Sequence, residues 1–454
     1  MQFPPFQVPG LGNGMTIALN AVIHVFFSHG FAIGVFGMIA ISEYIGYRRN
    51  SPQWTAFSHD LLKFAAILIT GIGAVTGVGI WFTIGTLEPR GTADMLRVFF
   101  WPWFLEWVAF TAEVIVLVVY YYTWEGWAAH HRRGHVILAF AYMAIGAFAA
   151  LAVTGILGFM LTPDGWPWQG NFWGAFFNPT FLPQLIMRIA MGYVLGTLIT
   201  IAFLIFTKRN VPFHGEALAF FGKVILSAGA VAVVSAVWYF YNVPPAFRVF
   251  SIFAVITSNL TQLSGLFWVV NGIALAVIVL AALLALRKVK LGVQIVILPA
   301  VLLMMGFFTE FERIREFIRG PYIMPGYMYA NQVLLKEAPY YSQAGVLPNS
   351  YWFNASDHQG SLDQGLYLFG QNCSVCHTIG GINDIQGRVR GRSLDGIRVI
   401  VAHTHDMVPF MTPFSGTQQE KDLLASFLYQ LGEGRIQFTH TGRFLNVMMQ
   451  EVKP

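Results

Sequence analysis

Eight apolar stretches, at roughly 15–46, 60–85, 96–123, 135–162, 181–207, 215–241, 263–286 and 291–309, dominate the 454 residues. Each is near the length of ~20 that a helix needs to cross a bilayer. The composition agrees: 56% of residues are hydrophobic, only 11% are charged and the mean hydropathy is +0.59. A soluble domain sits near 45–50% apolar and about 25% charged. The expected fold is therefore an all-α, polytopic membrane bundle of about eight transmembrane helices. Aromatic residues reach 16%, and many stand near the ends of the apolar runs, where membrane interfaces favour them. The net charge of +5 reflects Lys and Arg kept on one side of a membrane, and no nucleic-acid signature is present.

Loop charge orients the bundle. Arg48 and Arg49 follow the first run, Arg132 and Arg133 the third, Lys208 and Arg209 the fifth, and Arg287, Lys288 and Lys290 precede the last. The alternate loops, such as 163–180 and 242–247, carry almost no positive charge. The N-terminus and the segment after the last run are thus expected outside, in a multi-pass protein of the bacterial cytoplasmic membrane. No cleavable leader is expected, since MQFPPFQVPGLGNG lacks Lys, Arg and a small-residue cleavage site. Parity also requires that 246–262, with Asn259, Thr261 and Gln262, be a re-entrant, interfacial or broken-helix segment rather than a ninth span.

The membrane region is read as 1–309. Beyond it Glu310, Glu312, Arg313, Arg315, Glu316 and Arg319 form a charged helical exit. A Pro-punctuated linker is read over 310–360, a compact module over 361–440 and a tail over 441–454. Within the module stands Cys373-Ser-Val-Cys376-His377. Cys-x-x-Cys-His is the attachment signal of a c-type heme: the thiols bond to the heme vinyl groups and the imidazole takes the iron. These are the two cysteines of the chain, which leaves none for a disulfide framework or a zinc site. Heme attachment of this kind occurs outside the cytoplasmic membrane, the side that loop charge assigns independently. The helical approach over Asp363–Asn372 and the amphipathic Glu420–Leu431 resemble a small class I cytochrome c over about 70 residues. In that family a Met-x-Pro-Phe segment supplies the sixth ligand. Met411-Thr-Pro-Phe is favoured for its lead into the last helix, Met407-Val-Pro-Phe is the second match, and His403 and His405 are rivals.

Ionisable residues inside spans are costly and usually functional. The first run holds His24 and His29, the third Glu106 and Glu113, the fifth Arg188 and the sixth Lys223. Glu106 and Glu113 are seven apart and share a helix face; they are candidate heme ligands, proton carriers or both.

Several motifs here resemble subunit I of cytochrome bd-type oxidases. Ile23-His24-Val-Phe-Phe is similar to the family's Tyr-His-Phe-Leu-Phe, whose His binds an active-site heme. Trp107-Val-Ala-Phe-Thr-Ala-Glu113 resembles the segment bearing a buried heme-site Glu. The family's second Glu lies eight residues earlier, whereas Glu106 lies seven earlier. Gly158-Phe-Met-Leu-Thr-Pro163 and Phe177-Asn-Pro-Thr, running on to Met191-Gly-Tyr-Val, match two further stretches. The departures are informative. Met187 replaces the His of the family's low-spin heme, Phe247-Arg248-Val-Phe250 has Phe for that heme's Met, and a short connection after Lys208 replaces the long quinol loop.

The resemblance implies a heme oxidoreductase of the non-quinol kind. Electrons from a cytochrome or other periplasmic donor would enter a covalent heme c on Cys373, Cys376, His377 and Met411. They would pass to one or two heme b or heme d groups held by His24, Glu106 and Glu113, where oxygen is reduced. Nitric oxide is the alternative acceptor, and an electron-relay subunit without its own reduction site is the alternative role. Membrane lipid, a second multispan subunit and a possible oligomer complete the expected partners.

Overall fold

A computed structural model describes residues 3, 6–167, 169–207, 213–248, 264–355, 360–439 and 448–451. The Lys208–Arg209 cluster, most of the 246–262 segment with Phe250, and most of the 441–454 tail lie outside the described residues. Among the described residues, eight helices are long and apolar enough to cross a membrane: Asn13–Arg48, Pro52–Leu87, Phe100–Trp127, Arg132–Phe159, Phe172–Thr207, His214–Asn242, Leu266–Leu286 and Lys290–Ile318. They are called the first to eighth spans. The chain is a multipass, mostly helical membrane protein.

The chain divides into two compact units: Met1–Asn20, Ile80–Met95 and Ile318–Pro454 form one, and Ala21–Gly79 with Leu96–Phe317 form the other. The second unit is built around the fifth span. Val194, Leu195, Leu198, Ile201 and Leu204 there are at most 2% exposed, which makes it a helix surrounded by helices. Close approach to the first span depends on glycine. A Cβ on Gly34 would run into the Gly192 carbonyl and Gly196 Cα. Small residues that let backbones meet are the usual means of packing helices in lipid. The first span also widens here, with a π-helical stretch over Phe26–Val35, and the second does so over Leu68–Gly73. Such stretches occur mostly at functional sites. The two loop motifs at 158–163 and 177–180 meet in space: Asn178 Oδ1 accepts from Thr162 at 2.8 Å and Thr180 at 3.0 Å. They form a buried corner that joins the fourth span to the fifth.

The eighth span is longer than its hydropathy indicates. The charged exit expected after residue 309 continues as helix to Ile318, and Glu312 and Arg315 are only 5% exposed. They are interior residues of the helical unit, kept there because they pair with each other and Glu312 pairs also with Arg188. Lys223, by contrast, stands on an exposed face.

In the first unit, the part of the 310–360 segment that follows the eighth span carries short regular elements. A hairpin pairs Tyr322–Met324 with Met328–Tyr329, and a short helix spans Ala338–Ala344. The helices Ser361–Asn372 and Gln418–Gly432 cross at Gly365, where a Cβ would sit 2.5 Å from Phe427 Cβ. A capping box of Thr417 and Glu420 starts the second of them. The same Glu420 carboxylate accepts from Val346 N at 2.8 Å and Leu347 N at 2.7 Å, which pins the preceding segment to that helix. Ile436–Thr439 pairs with Met448–Glu451, so the end of the chain adds a strand pair to an otherwise helical module.

Candidate functional site

The Cys-x-x-Cys-His loop lies directly after the helix Ser361–Asn372 and is gripped from behind. Gln7, 3% exposed, donates its side-chain amide to Ser374 O at 3.2 Å and His377 O at 2.6 Å. Gly10 O accepts from Ile382 N at 2.8 Å, and a Cβ on Gly12 would lie 2.8 Å from Thr378 Cγ2. His377 is buried, and its Nδ1 faces Asn383 O at 3.3 Å. A carbonyl only accepts, so Nδ1 carries the hydrogen and Nε2 is left as the free donor to a metal. Burial pushes this imidazole down to about 4, which keeps it neutral at physiological pH, the form that binds iron.

The four rival sixth ligands differ in placement. Met407 is 55% exposed and His403 pairs with Asp406 on the surface. His405 Nδ1 is tied to Met411 O at 2.9 Å. Met411 is half-buried, three residues before the core residue Phe414.

In the helical unit, His24 meets the second span. Its Nδ1 lies 3.2 Å from Thr76 Oγ1, and that hydroxyl donates its one hydrogen to Ile72 O at 2.7 Å. Thr76 therefore accepts from His24 Nδ1–H, and Nε2 again remains the free lone pair. Glu113 and Glu106 stand on one face of the third span, and Glu113 is opposite Gly146 of the fourth, where a Cβ would lie 2.6 Å from its Oε1. Gly77 likewise faces His24, with a Cβ placed 3.1 Å from Cε1.

This donor set fits heme. Each of the two imidazoles offers a preset Nε2, and glycines stand against His24 and Glu113 where side chains would intrude. A porphyrin brings four nitrogens of its own and asks the protein for one or two ligands. Among the described residues no three His, Cys, Asp or Glu side chains converge as a metal site of another kind.

Two polar clusters were not read from the sequence. Arg188, 2% exposed, is ion-paired with Glu312 and lies 5.2 Å from the Phe311 ring, while Arg315 reaches Glu312 at 3.2 Å. His29 is near, edge-on to Phe308 at 5.9 Å. The signal was the i, i+3 Glu–Arg spacing, masked because so dense a run of charge reads as the end of a span. The second cluster joins Glu43, Tyr120 and His135; each lies near a span terminus, where polar residues are ordinary.

The family model of cytochrome bd terminal oxidase subunit I matches residues 14–243. No curated protein matches the chain. Among solved structures, the bd oxidase from Geobacillus thermodenitrificans aligns with a TM-score of 0.59 at 17% identity, over 70% of this chain and 90% of that chain. At that identity the likeness speaks for the fold alone.

Proposed function

The chain belongs to the cytochrome bd terminal oxidase subunit I family, a family of membrane oxidoreductases that bind hemes b and d, and from that premise we propose that it is an oxygen-reducing oxidase fed through a covalent c-type heme rather than by quinol. The observation that carries this reading is the junction of the fifth and sixth spans: helix ends at Thr207 and resumes at His214. Residues 208–213 offer no room for the long quinol loop, and Met187, 3% exposed, fills the position of a low-spin heme ligand. The Cys-x-x-Cys-His loop supplies the other route for electrons.

Bound hemes would supply the electron-transfer and oxygen-reducing chemistry. The chain holds them. Cys373 and Cys376 would hold the c heme covalently, and His377 through Nε2 and Met411 would be its iron donors. His24 offers Nε2 to a membrane heme, with Glu106 the carboxylate at similar depth. Glu113, seven residues further along the third span and about 10 Å deeper at 1.5 Å per residue, holds protons for the reduction. Loop charge and the site of c-heme attachment both support an outer location for the N-terminus and residues 319–454. The second and third spans bury only 17% of their most apolar windows, which supports lipid and a second multispan subunit as their covering.

Carbon monoxide tests this reading. Added to the dithionite-reduced protein it should shift the spectrum of a membrane heme and leave the c heme unchanged. The air-oxidised protein should then consume oxygen with a reduced soluble cytochrome as donor. No carbon monoxide shift would reduce the chain to an electron relay, and turnover of nitric oxide without oxygen would reassign the acceptor.

A further inference from the structure

The first, third and fourth spans meet near Arg48 and Arg132 around three buried titratable side chains. Tyr120 and His135 are fully buried and Glu43 is 6% exposed. His135 Nδ1 lies 2.6 Å from Glu43 Oε1, and the Tyr120 hydroxyl donates to Glu43 Oε2 at 2.6 Å. His135 Nε2 lies 3.0 Å from the Tyr120 carbonyl. That carbonyl only accepts, so Nε2 keeps its hydrogen. The Nδ1–Oε1 bond is then the place where one proton is either held or lacking. Ring packing fixes the geometry, since His135 stacks on Tyr120 at 4.2 Å and meets Trp124 edge-on at 4.8 Å.

The cluster lies between a surface and the glutamates. On one side a cavity of about 680 Å³ is lined by Tyr47, His130, His131, Arg132 and Gly134, among others. Tyr47 is one helical turn beyond Glu43, and Gly134 adjoins His135. On the other side Tyr120, Glu113 and Glu106 recur every seven residues along one face of the third span. The fourth span answers with His135 and Tyr142, also seven apart, and with Gly146 against the Glu113 carboxylate. The other charged groups nearby are His59, stacked on Trp124 at 4.6 Å, with Asp60, Lys63 and Glu125 around it.

We propose that Glu43, His135 and Tyr120 form the proton-loading station that takes protons from the cavity and supplies Glu113. Loading converts a hydronium ion to water and places its proton in the Nδ1–Oε1 bond. Unloading moves one proton from the Glu43 carboxyl to the Glu113 carboxylate. The Tyr120 hydroxyl takes it while giving its own onward, and transient water carries it past Phe36 and Tyr142 to Glu113, seven residues or about 10 Å along the span from Tyr120. The pair then returns to neutral imidazole and carboxylate. This rests on the reading of the chain as an oxidase, whose reaction consumes protons.

The full-length protein in detergent tests it through Glu43→Gln, His135→Gln and His135→Ala. Oxygen consumption should fall tenfold or more in each, with heme content and carbon monoxide binding unchanged. The remaining activity should decline at lower pH than in the wild type, because uptake then follows the proton concentration. Added imidazole should restore part of the His135→Ala rate. Intact hemes with wild-type turnover and pH profile would overturn the proposal. So would lost turnover that tracks lost heme and resists imidazole, since the cluster would then only pin helices. A wild-type protein that consumes no oxygen would remove the oxidase reading itself, and the proposal with it.

Discussion

Thr76 decides which nitrogen His24 can offer. Its hydroxyl hydrogen is committed to Ile72 O, so it accepts from Nδ1–H and turns the Nε2 lone pair outward. Partners of this kind typically contribute 10–100-fold in metal affinity. Thr76→Val, which keeps the shape and removes the acceptor, should lower the ratio of non-covalent to covalent heme or speed loss of the non-covalent heme about tenfold. Thr76→Ser should restore it, and His24→Ala should lose one membrane heme altogether. Pyridine hemochrome analysis reads all three; a full complement in His24→Ala would remove His24 from the site. A histidine in an apolar run announces itself in sequence, and His24 and His29 both stand out in the first span. Thr76 was not legible, because it lies on another span and a hydroxyl in a helix ordinarily bonds only its own backbone. Met407 and Met411 share a motif, and packing alone separates them: one is exposed, the other lies half-buried beside the module core.

At the level of elements, hydropathy located the spans and charge obscured one end. The eighth helix runs on through Glu312 and Arg315 because Arg315 pairs with Glu312 and Glu316, and Glu312 with Arg188 of the fifth span, an arrangement no window average detects. The π-helical stretch beside His24 was equally hidden, since its residues are as apolar as the helix around them. In the first unit, Arg90 follows the second span and meets Glu337 before the short helix Ala338–Ala344 through two hydrogen bonds of 2.8 Å. Partial burial pushes the Glu337 carboxyl up, but the hydrogen bonds and charge of Arg90 outweigh it and hold it below the usual carboxylate range. A group so lowered stabilises the fold above its unfolded pKa of about 4.3. The contribution is lost as pH falls through the lowered folded value. Well above that unfolded value of about 4.3 the pair should be insensitive to pH. Glu337→Gln should cost about 1–2 kcal/mol at neutral pH, reduced for its partial exposure, and less in acid. Thermal melting followed by c-heme absorption at neutral and acid pH checks both; an equal loss at each would assign the pair no electrostatic role.

On the scale of the whole molecule, the eight spans among the described residues could be read from residue order because each is contiguous. The first unit could not, since it gathers Met1–Asn20, Ile80–Met95 and Ile318–Pro454 and no local pattern links such distant pieces. The shortened junction at Thr207–His214 and the Cys-x-x-Cys-His loop together predict a single electron port. A Cys373→Ala, Cys376→Ala variant with its membrane hemes intact should stay oxidised in the presence of a reduced quinol. Rapid reduction of those hemes would reveal a second port.

The hold of Gln7 on the loop around His377 carries a consequence for biogenesis. The two partners of its first hydrogen bond are 367 residues apart. At about 5–20 residues per second, the ribosome makes them roughly 20–70 s apart. For that interval the N-terminal strap has nothing to clasp, and it can close only after the loop around His377 has been made. Residues 319–454 expressed alone would lack the strap that their own fold is built with.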